Sequence, residues 1–257
     1  DRVHHGFWEH FDEGHRRYEA GNPYEEAIPE YYRLVDRELG RLLAELSGDT
    51  TVIVMSDHGA KRMIGGVCIN EWLMREGYLH LKTKPEGPTP FSPAAVDWSR
   101  TKAWGEGGYY GRLFINVRGR EPEGTVDPAE YEGLRSELAE KLAAVPDHEG
   151  RAMATKVFKP EEIYRECRNV APDLMVYFGD LDWRAVGTVG MGGLYTFEND
   201  TGPDGANHAQ QGIFIMNGPG VPGGRKLEGL QLVDCGPTVL SALGLAAPAE
   251  MIGRAIG

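Results

Sequence analysis

The sequence predicts an α/β fold: a mostly parallel sheet flanked by helices, interrupted by a small inserted α+β subdomain. Three observations carry that expectation. An amphipathic segment from Tyr24 to Leu46 leads into a short apolar run, Thr51 to Met55, which stops at the polar turn Ser56-Asp57-His58-Gly59. Two later apolar runs, Asp173 to Phe178 and Gly212 to Met216, and a closing helix from Asp234 to Leu243 resume the same rhythm. Between them, residues 85–160 follow a different pattern. A chain of 257 residues is long enough for one large domain with an insertion.

Each element has a local reason. Ile28, Tyr31, Tyr32, Val35, Leu39, Leu42, Leu43 and Leu46 recur in steps of three and four, which gives one apolar stripe on a helix. Pro29 is tolerated only in its first turn, and Gly48-Asp49 ends it. The run to Met55 lacks polar alternation, so it reads as a strand covered on both faces, and chemistry gathers beyond the carboxyl ends of such strands. Asn70 to Glu76 reads as a short helix and Leu79 to Lys82 as a short strand. Pro85 to Pro93, with its repeated prolines, reads as a loop. Lys102–Gly105 and Arg112–Val117 are two strands joined through a Gly/Tyr stretch. Asp127 is placed as an N-cap, with Pro128 at the first helical position and Glu130 completing a capping-box-like pattern. Tyr131, Leu134, Leu138, Leu142 and Val145 supply that helix's stripe. Leu181 to Asn199, with Gly187, Gly190, Gly192 and Gly193, reads as a loop that either approaches a phosphate or simply connects. Residues 1–84 and 161–257 are thus assigned to the α/β core and 85–160 to the insertion.

Charge and composition exclude several classes of partner. With 39 Asp+Glu against 27 Lys+Arg, the net charge of -12 argues against a sequence-blind grip on nucleic acid. No apolar run approaches the roughly 20 residues that span a bilayer, and no signal peptide opens the chain, so no membrane partner is expected. Cys68, Cys167 and Cys235 are odd in number and far apart, which offers neither a disulfide framework nor a CxxC knuckle. The expectation is a cytoplasmic protein with a small-molecule substrate; homo-oligomerisation stays open.

Three clusters hold the chemistry-bearing residues. Asp1 and His5 are spaced so that one helical turn puts carboxylate and imidazole on one face. Asp57-His58 sits at the end of the predicted buried strand. His208 closes Asp204-Gly-Ala-Asn-His208, just ahead of another apolar run. Carboxylate oxygen and imidazole nitrogen together suit zinc, manganese or iron better than calcium or magnesium. Such ions polarise phosphoryl oxygens and generate hydroxide near neutral pH. Each cluster also has a plainer reading, as a solvated helix face or, for Asp57, as a helix cap. His10, Asp12 and His15 are read as surface, His4 as exposed or supporting, and His80 and His148 are given no role. Trp8, Trp104, Tyr109 and Tyr110 either stack on a leaving group or fill the core.

Taken in order, the motifs resemble the alkaline phosphatase superfamily, most closely its type I phosphodiesterase/nucleotide pyrophosphatase branch. The matching pieces are Asp1-Arg-Val-His-His5 with Phe7-Trp8, Val54-Met-Ser-Asp-His-Gly59, Asn207-His208 with Gly212-Ile-Phe-Ile, Gly218-Pro-Gly220, the closing segment from Asp234 to Gly244, and Gly253-Arg254. The resemblance implies an alkaline phosphatase-like fold and two divalent transition-metal ions, zinc first among them, with manganese and iron as the alternatives. It implies one ion held by Asp1, His5 and His208, and a second held by Asp57 and His58 together with an earlier Asp and a Thr or Ser nucleophile. The implied activity is hydrolysis of a phosphodiester or nucleotide pyrophosphate through a covalent intermediate.

The earlier Asp and the nucleophile have no counterpart here. Ser56 points away along the strand, and Thr196 and Thr201 lack a supporting motif. The expectation is therefore the C-terminal part of a longer enzyme whose nucleophile lies upstream. The competing expectation is a non-catalytic metal-binding or interaction fragment of the same fold.

Overall fold

A computed structural model describes residues 1–198 and 204–256. Its elements in order are α1 (Arg2–Phe11), α2 (Ala27–Ala44), β1 (Val52–Met55), β2 (Gly59–Arg62), β3 (Gly65–Cys68), α3 (Ile69–Arg75), β4 (Ala103–Glu106) and β5 (Gly111–Ile115). There follow α4 (Tyr131–Ala143), β6 (Lys156–Phe158), α5 (Pro160–Ile163), β7 (Leu174–Tyr177), β8 (Trp183–Val186), β9 (Tyr195–Thr196), β10 (Ala206–Ala209), β11 (Phe214–Asn217) and α6 (Cys235–Ala242). The chain forms two compact units, one of Asp1–Ile28 with Ala60–His208, the other of Pro29–Gly59 with Ala209–Gly257.

The first unit holds the dense core. Its main sheet has the order β4-β5-β7-β6, and every neighbouring pair in it is antiparallel. A second sheet has the order β8-β3-β9, with β3 parallel to β8 and antiparallel to β9. Ile69 and Leu73 of α3, Leu113 and Ile115 of β5, Leu138 and Leu142 of α4, Leu174 of β7 and Trp183 of β8 are all fully buried together. Burying each such side chain contributes about 1.5–3 kcal/mol. A Cβ on Gly66 would lie 2.6 Å from Val186 Cγ2, so glycine lets β3 pass between its two neighbours.

The second unit is built differently. β1 and β11 form a two-stranded antiparallel pair, with Val54 opposite Ile215, and the unit also holds most of α2 and all of α6. Much of its apolar surface faces solvent: Tyr31, Tyr32, Leu39, Leu42, Leu43 and Leu46 on the α2 side, and Ile213, Ile215, Val239 and Leu243 elsewhere.

The architecture is mixed α/β, but the mostly parallel sheet is not present. Small sheets with predominantly antiparallel pairings take its place, because runs of four apolar residues fix neither strand direction nor partner. β1 is half-buried with Met55 exposed, so it is not covered on both faces. Leu79 to Lys82 forms only an isolated bridge, Leu81 to Val96. The segment from Leu181 contains two strands, β8 and β9, where a loop was expected, since its glycines outweighed the buried Trp183-Arg-Ala-Val186 run; Asn199 lies outside the described residues. β7, placed in the resumed core from sequence, adjoins β5 and β6 from the 85–160 segment. Asp127 starts a turn by accepting Ala129 N–H at 2.9 Å, and the regular helix begins at Tyr131. Among the described residues no helix is long and apolar enough to cross a membrane.

One polar network ties α4 to β7. Buried Asp173 accepts two bonds from the Arg120 guanidinium at 2.7 Å, one from Tyr131 Oη at 2.7 Å and one from Ile115 N–H. Arg135, itself buried, donates Nε–H to the Asp173 carbonyl and grips Glu161 with both terminal nitrogens. Burial and the bond to Asp173 push the Tyr131 phenol up to about 12.

Asp173→Ala should lower the unfolding free energy by about 2–4 kcal/mol in chemical denaturation, because it strands several buried donors at once. Arg135 holds the Glu161 carboxyl down to about 2 from its ordinary 4.5, so that contribution is complete above pH 4.5 and fades as pH falls toward 2. Thermal melts of Glu161→Gln should show a shallower loss of stability across that acid window than the parent.

Candidate metal centre

α1 begins at Asp1, and its first turn brings Asp1 Oδ1 to 3.1 Å from His5 Nε2. His208, in β10, places its Nε2 3.7 Å from the same oxygen, and the His5 and His208 rings have centroids 5.3 Å apart. Two residues of one helical turn and a third from far along the chain thus converge inside the first unit. His5 is mostly buried and Asp1 more than half exposed, so the group opens to solvent on the Asp1 side.

Neighbouring groups define which atoms face one another. His5 Nδ1 lies 2.8 Å from Asp204 Oδ1 and 3.1 Å from the Ala206 carbonyl. Both are acceptors, so a hydrogen on Nδ1 serves two oxygens where one on Nε2 would serve Asp1 alone, and the neutral ring that meets both turns its Nε2 lone pair to Asp1. Two electron-pair donors then face each other at 3.1 Å, with a second imidazole alongside, which is a donor set that a divalent cation satisfies. The residues present therefore fit such an ion.

The segment that carries His208 is held by buried Asn207. Its Nδ2 donates to the Leu181 carbonyl at 2.8 Å and the Tyr109 carbonyl at 3.3 Å, while its Oδ1 accepts His208 N–H at 2.8 Å. Leu181 ends a turn in which Gly179, Asp180 and Leu181 all have positive φ, an unfavourable conformation for the last two. Lys61 holds that turn through the Asp180 carbonyl and an ion pair with Asp182. The Tyr109 ring lies against both imidazoles, at 5.3 Å from His5 and 4.2 Å from His208. Burial and the Asp204 charge raise its phenol above the ordinary value, with Arg184 opposing.

Asp57 and His58 belong to the second unit, at the turn after β1. Asp57 Oδ1 accepts His58 N–H at 3.0 Å and stands 3.7 Å from His58 Nε2. The Gly59 carbonyl sits 2.9 Å from His58 Nδ1, which again leaves Nε2 as the ring's lone-pair atom.

Other expectations resolve individually. His15 is buried rather than on the surface; burial lowers its pKa, and its Nδ1 accepts Arg17 N–H. Asp12 is bound by Arg62 through two bonds of 2.6 and 2.7 Å, which hold its carboxyl below the usual range. His80 bonds to the Gly77 carbonyl, and His148 packs on Trp183 and Phe197. Of the aromatic candidates, Trp104 packs with Trp98 and Phe114, Tyr110 with Tyr177, and Trp8 with Phe11; Tyr109 alone of these four touches the imidazoles of His5 and His208. Ser56 Oγ is occupied by Ile213 N–H and Thr196 Oγ1 by the Glu198 carbonyl; Thr201 lies outside the described residues. Asp204 and Asn207 act as supporting residues that the sequence alone does not single out, and their closeness to His208 is the available signal.

The family model described as type I phosphodiesterase / nucleotide pyrophosphatase matches residues 1–204. The chain belongs to that family. Membership places it in a branch of the alkaline phosphatase superfamily and among metal-dependent hydrolases of small phosphate esters or nucleotides. The match takes in Asp1, His5, Asp57 and His58 and stops short of His208, which the coordinates bring to Asp1. No curated protein matches the chain.

Asn207→Ala removes both donors and the acceptor that fix the approach to His208. Denaturant unfolding should show a loss of about 1–3 kcal/mol, the cost of stranding buried partners.

Proposed function

We propose that this phosphodiesterase-family protein hydrolyses phosphodiesters or nucleotide pyrophosphates at a two-cation site. One ion is held by Asp1, His5 and His208, and the second draws on Asp57 and His58. The observation that carries the reading is the convergence of Asp1, His5 and His208, with His5 Nε2 turned toward Asp1 Oδ1 at 3.1 Å. The donor set of imidazole and carboxylate favours zinc, with manganese or iron as alternatives. Bound there, divalent ions would offset charge on the phosphoryl oxygens and lower the pKa of an attacking oxygen.

This chain's own residues orient and bind. Asp1 supplies anionic charge at the open side, the imidazoles supply neutral nitrogen ligands, and Tyr109 packs against both rings. Local cationic charge also lets a protein of net charge -12 accept an anionic ester, since distant surface carboxylates are screened beyond about 8–10 Å. In this reading the attacking hydroxyl belongs to a Thr or Ser outside residues 1–257; it bonds to phosphorus as the alcohol or nucleotide leaves with a proton, and water then hydrolyses the phospho-enzyme to release the phosphate product and regenerate the hydroxyl.

Metal analysis after zinc loading should find more than one ion per chain, falling toward one in His58→Ala and likewise in His208→Ala. Turnover of an aryl phosphodiester by the full-length protein that carries the attacking hydroxyl, dependent on zinc or manganese, completes the test. Metal-free protein that neither takes up these ions nor acquires turnover would overturn the proposal. A single tight ion without turnover would favour a non-catalytic metal-binding domain instead.

A further inference from the structure

The Asp204 carboxylate is mostly buried, and its Oδ1 meets the His5 ring nitrogen that faces away from Asp1. We propose that Asp204 is a positioning residue: it fixes the hydrogen of His5 on Nδ1 and thereby commits Nε2 to the cation. The inference rests on the preceding reading of Asp1, His5 and His208 as a metal set and adds the residue that orients it.

The geometry favours one neutral tautomer, because two acceptors face Nδ1 and one faces Nε2. Asp204 Oδ1 at 2.8 Å and the Ala206 carbonyl at 3.1 Å both require a hydrogen on Nδ1, and the opposite tautomer would aim a lone pair at two oxygens. A carboxylate behind a ligating imidazole also raises its basicity, and supporting groups of this kind are worth about 10–100-fold in metal affinity. Asp204 is itself held, since its Oδ1 accepts Ala206 N–H at 3.3 Å. The backbone beside it is clamped: Gly205 N–H donates to the His5 carbonyl at 3.0 Å, and Met63 N–H donates to the Gly205 carbonyl at 3.0 Å. A Cβ on Gly205 would stand 3.0 Å from Glu9 N, so glycine permits the approach to α1 that puts Asp204 within reach.

Histidine side-chain nitrogen NMR on the metal-free protein near pH 8, with His5→Gln assigning the signal, reads the tautomer directly. Wild type should show His5 protonated on Nδ1. Asp204→Ala should show a mixture with the Nε2-protonated form and bind zinc about 10–100-fold more weakly. Asp204→Asn keeps a carbonyl acceptor, so it should retain the Nδ1 tautomer and recover part of the affinity, which general damage to the fold would not do. An Nε2-protonated His5 in wild type, or unchanged tautomer and zinc affinity in Asp204→Ala, would overturn the assignment. Failure of wild type to bind zinc while His5 stays Nδ1-protonated would defeat the metal reading alone and leave the tautomer assignment supported.

Discussion

The candidate site depends on one long-range contact, the docking of Asp204–His208 against the first helix. No residue of α1 is fully buried, and Phe7 and Trp8 are half-buried, so apolar packing alone does not fix the helix. Polar clamps do the work: Gly205 N–H on the His5 carbonyl, Arg62 on Asp12, Arg17 on Glu9, and Trp8 Nε1–H on Asp12. The Arg62–Asp12 pair has the best geometry, bidentate and part-buried, and is the kind of charge-assisted contact that fixes orientation as well as proximity. With α1 so fixed, the imidazole of His5 has its Nδ1 side spent on Asp204 and its Nε2 side turned to Asp1.

Local periodicity made much of the element inventory legible, and its failures share a cause. The three-and-four spacing from Ile28 to Leu46 correctly marks a helix and its apolar face, yet most of that face is exposed. Periodicity reports which side of an element is apolar and not what covers it. The same spacing in α4 coincides with burial of Leu138, Leu142 and Val145, because sheet strands of the same unit lie against it. Thr51 to Met55 and Asp173 to Phe178 were both identifiable as strands. Their partners, β11 and the β5/β6 pair, come from sequence positions that a run of apolar residues does not encode.

The site was legible where chemistry and local geometry coincide. Asp1 and His5 share a helical turn, so spacing alone predicted their meeting; His208 was placed by its motif context. The supporting residues were illegible because their roles arise from tertiary contact. Asn207 matters because Leu181 and Tyr109 aim carbonyls at it, and Leu181 does so from a left-handed turn whose strain only coordinates reveal. His15 looked like a surface residue in a polar tract, but its neighbours Asp12 and Arg17 are engaged in ion pairs that fold the tract over it.

Two carboxylates flank one imidazole here, and that arrangement has an energetic consequence. Asp204 is paired with an N–H, so its charge is accommodated by a hydrogen bond. Asp1 faces a lone pair at 3.1 Å and, on that contact, gains nothing from the neutral ring. A cation between them would convert an unfavourable approach into coordination, with His208 Nε2, 3.7 Å from the Asp1 oxygen, as a further nitrogen. A ligand that binds only this arrangement stabilises the folded chain by mass action, by about 2.7 kcal/mol at a hundred times its dissociation constant. The cation would thus hold α1 and β10 together from the solvent side, where no residue of α1 is fully buried, while Asp204 and Gly205 hold them from within.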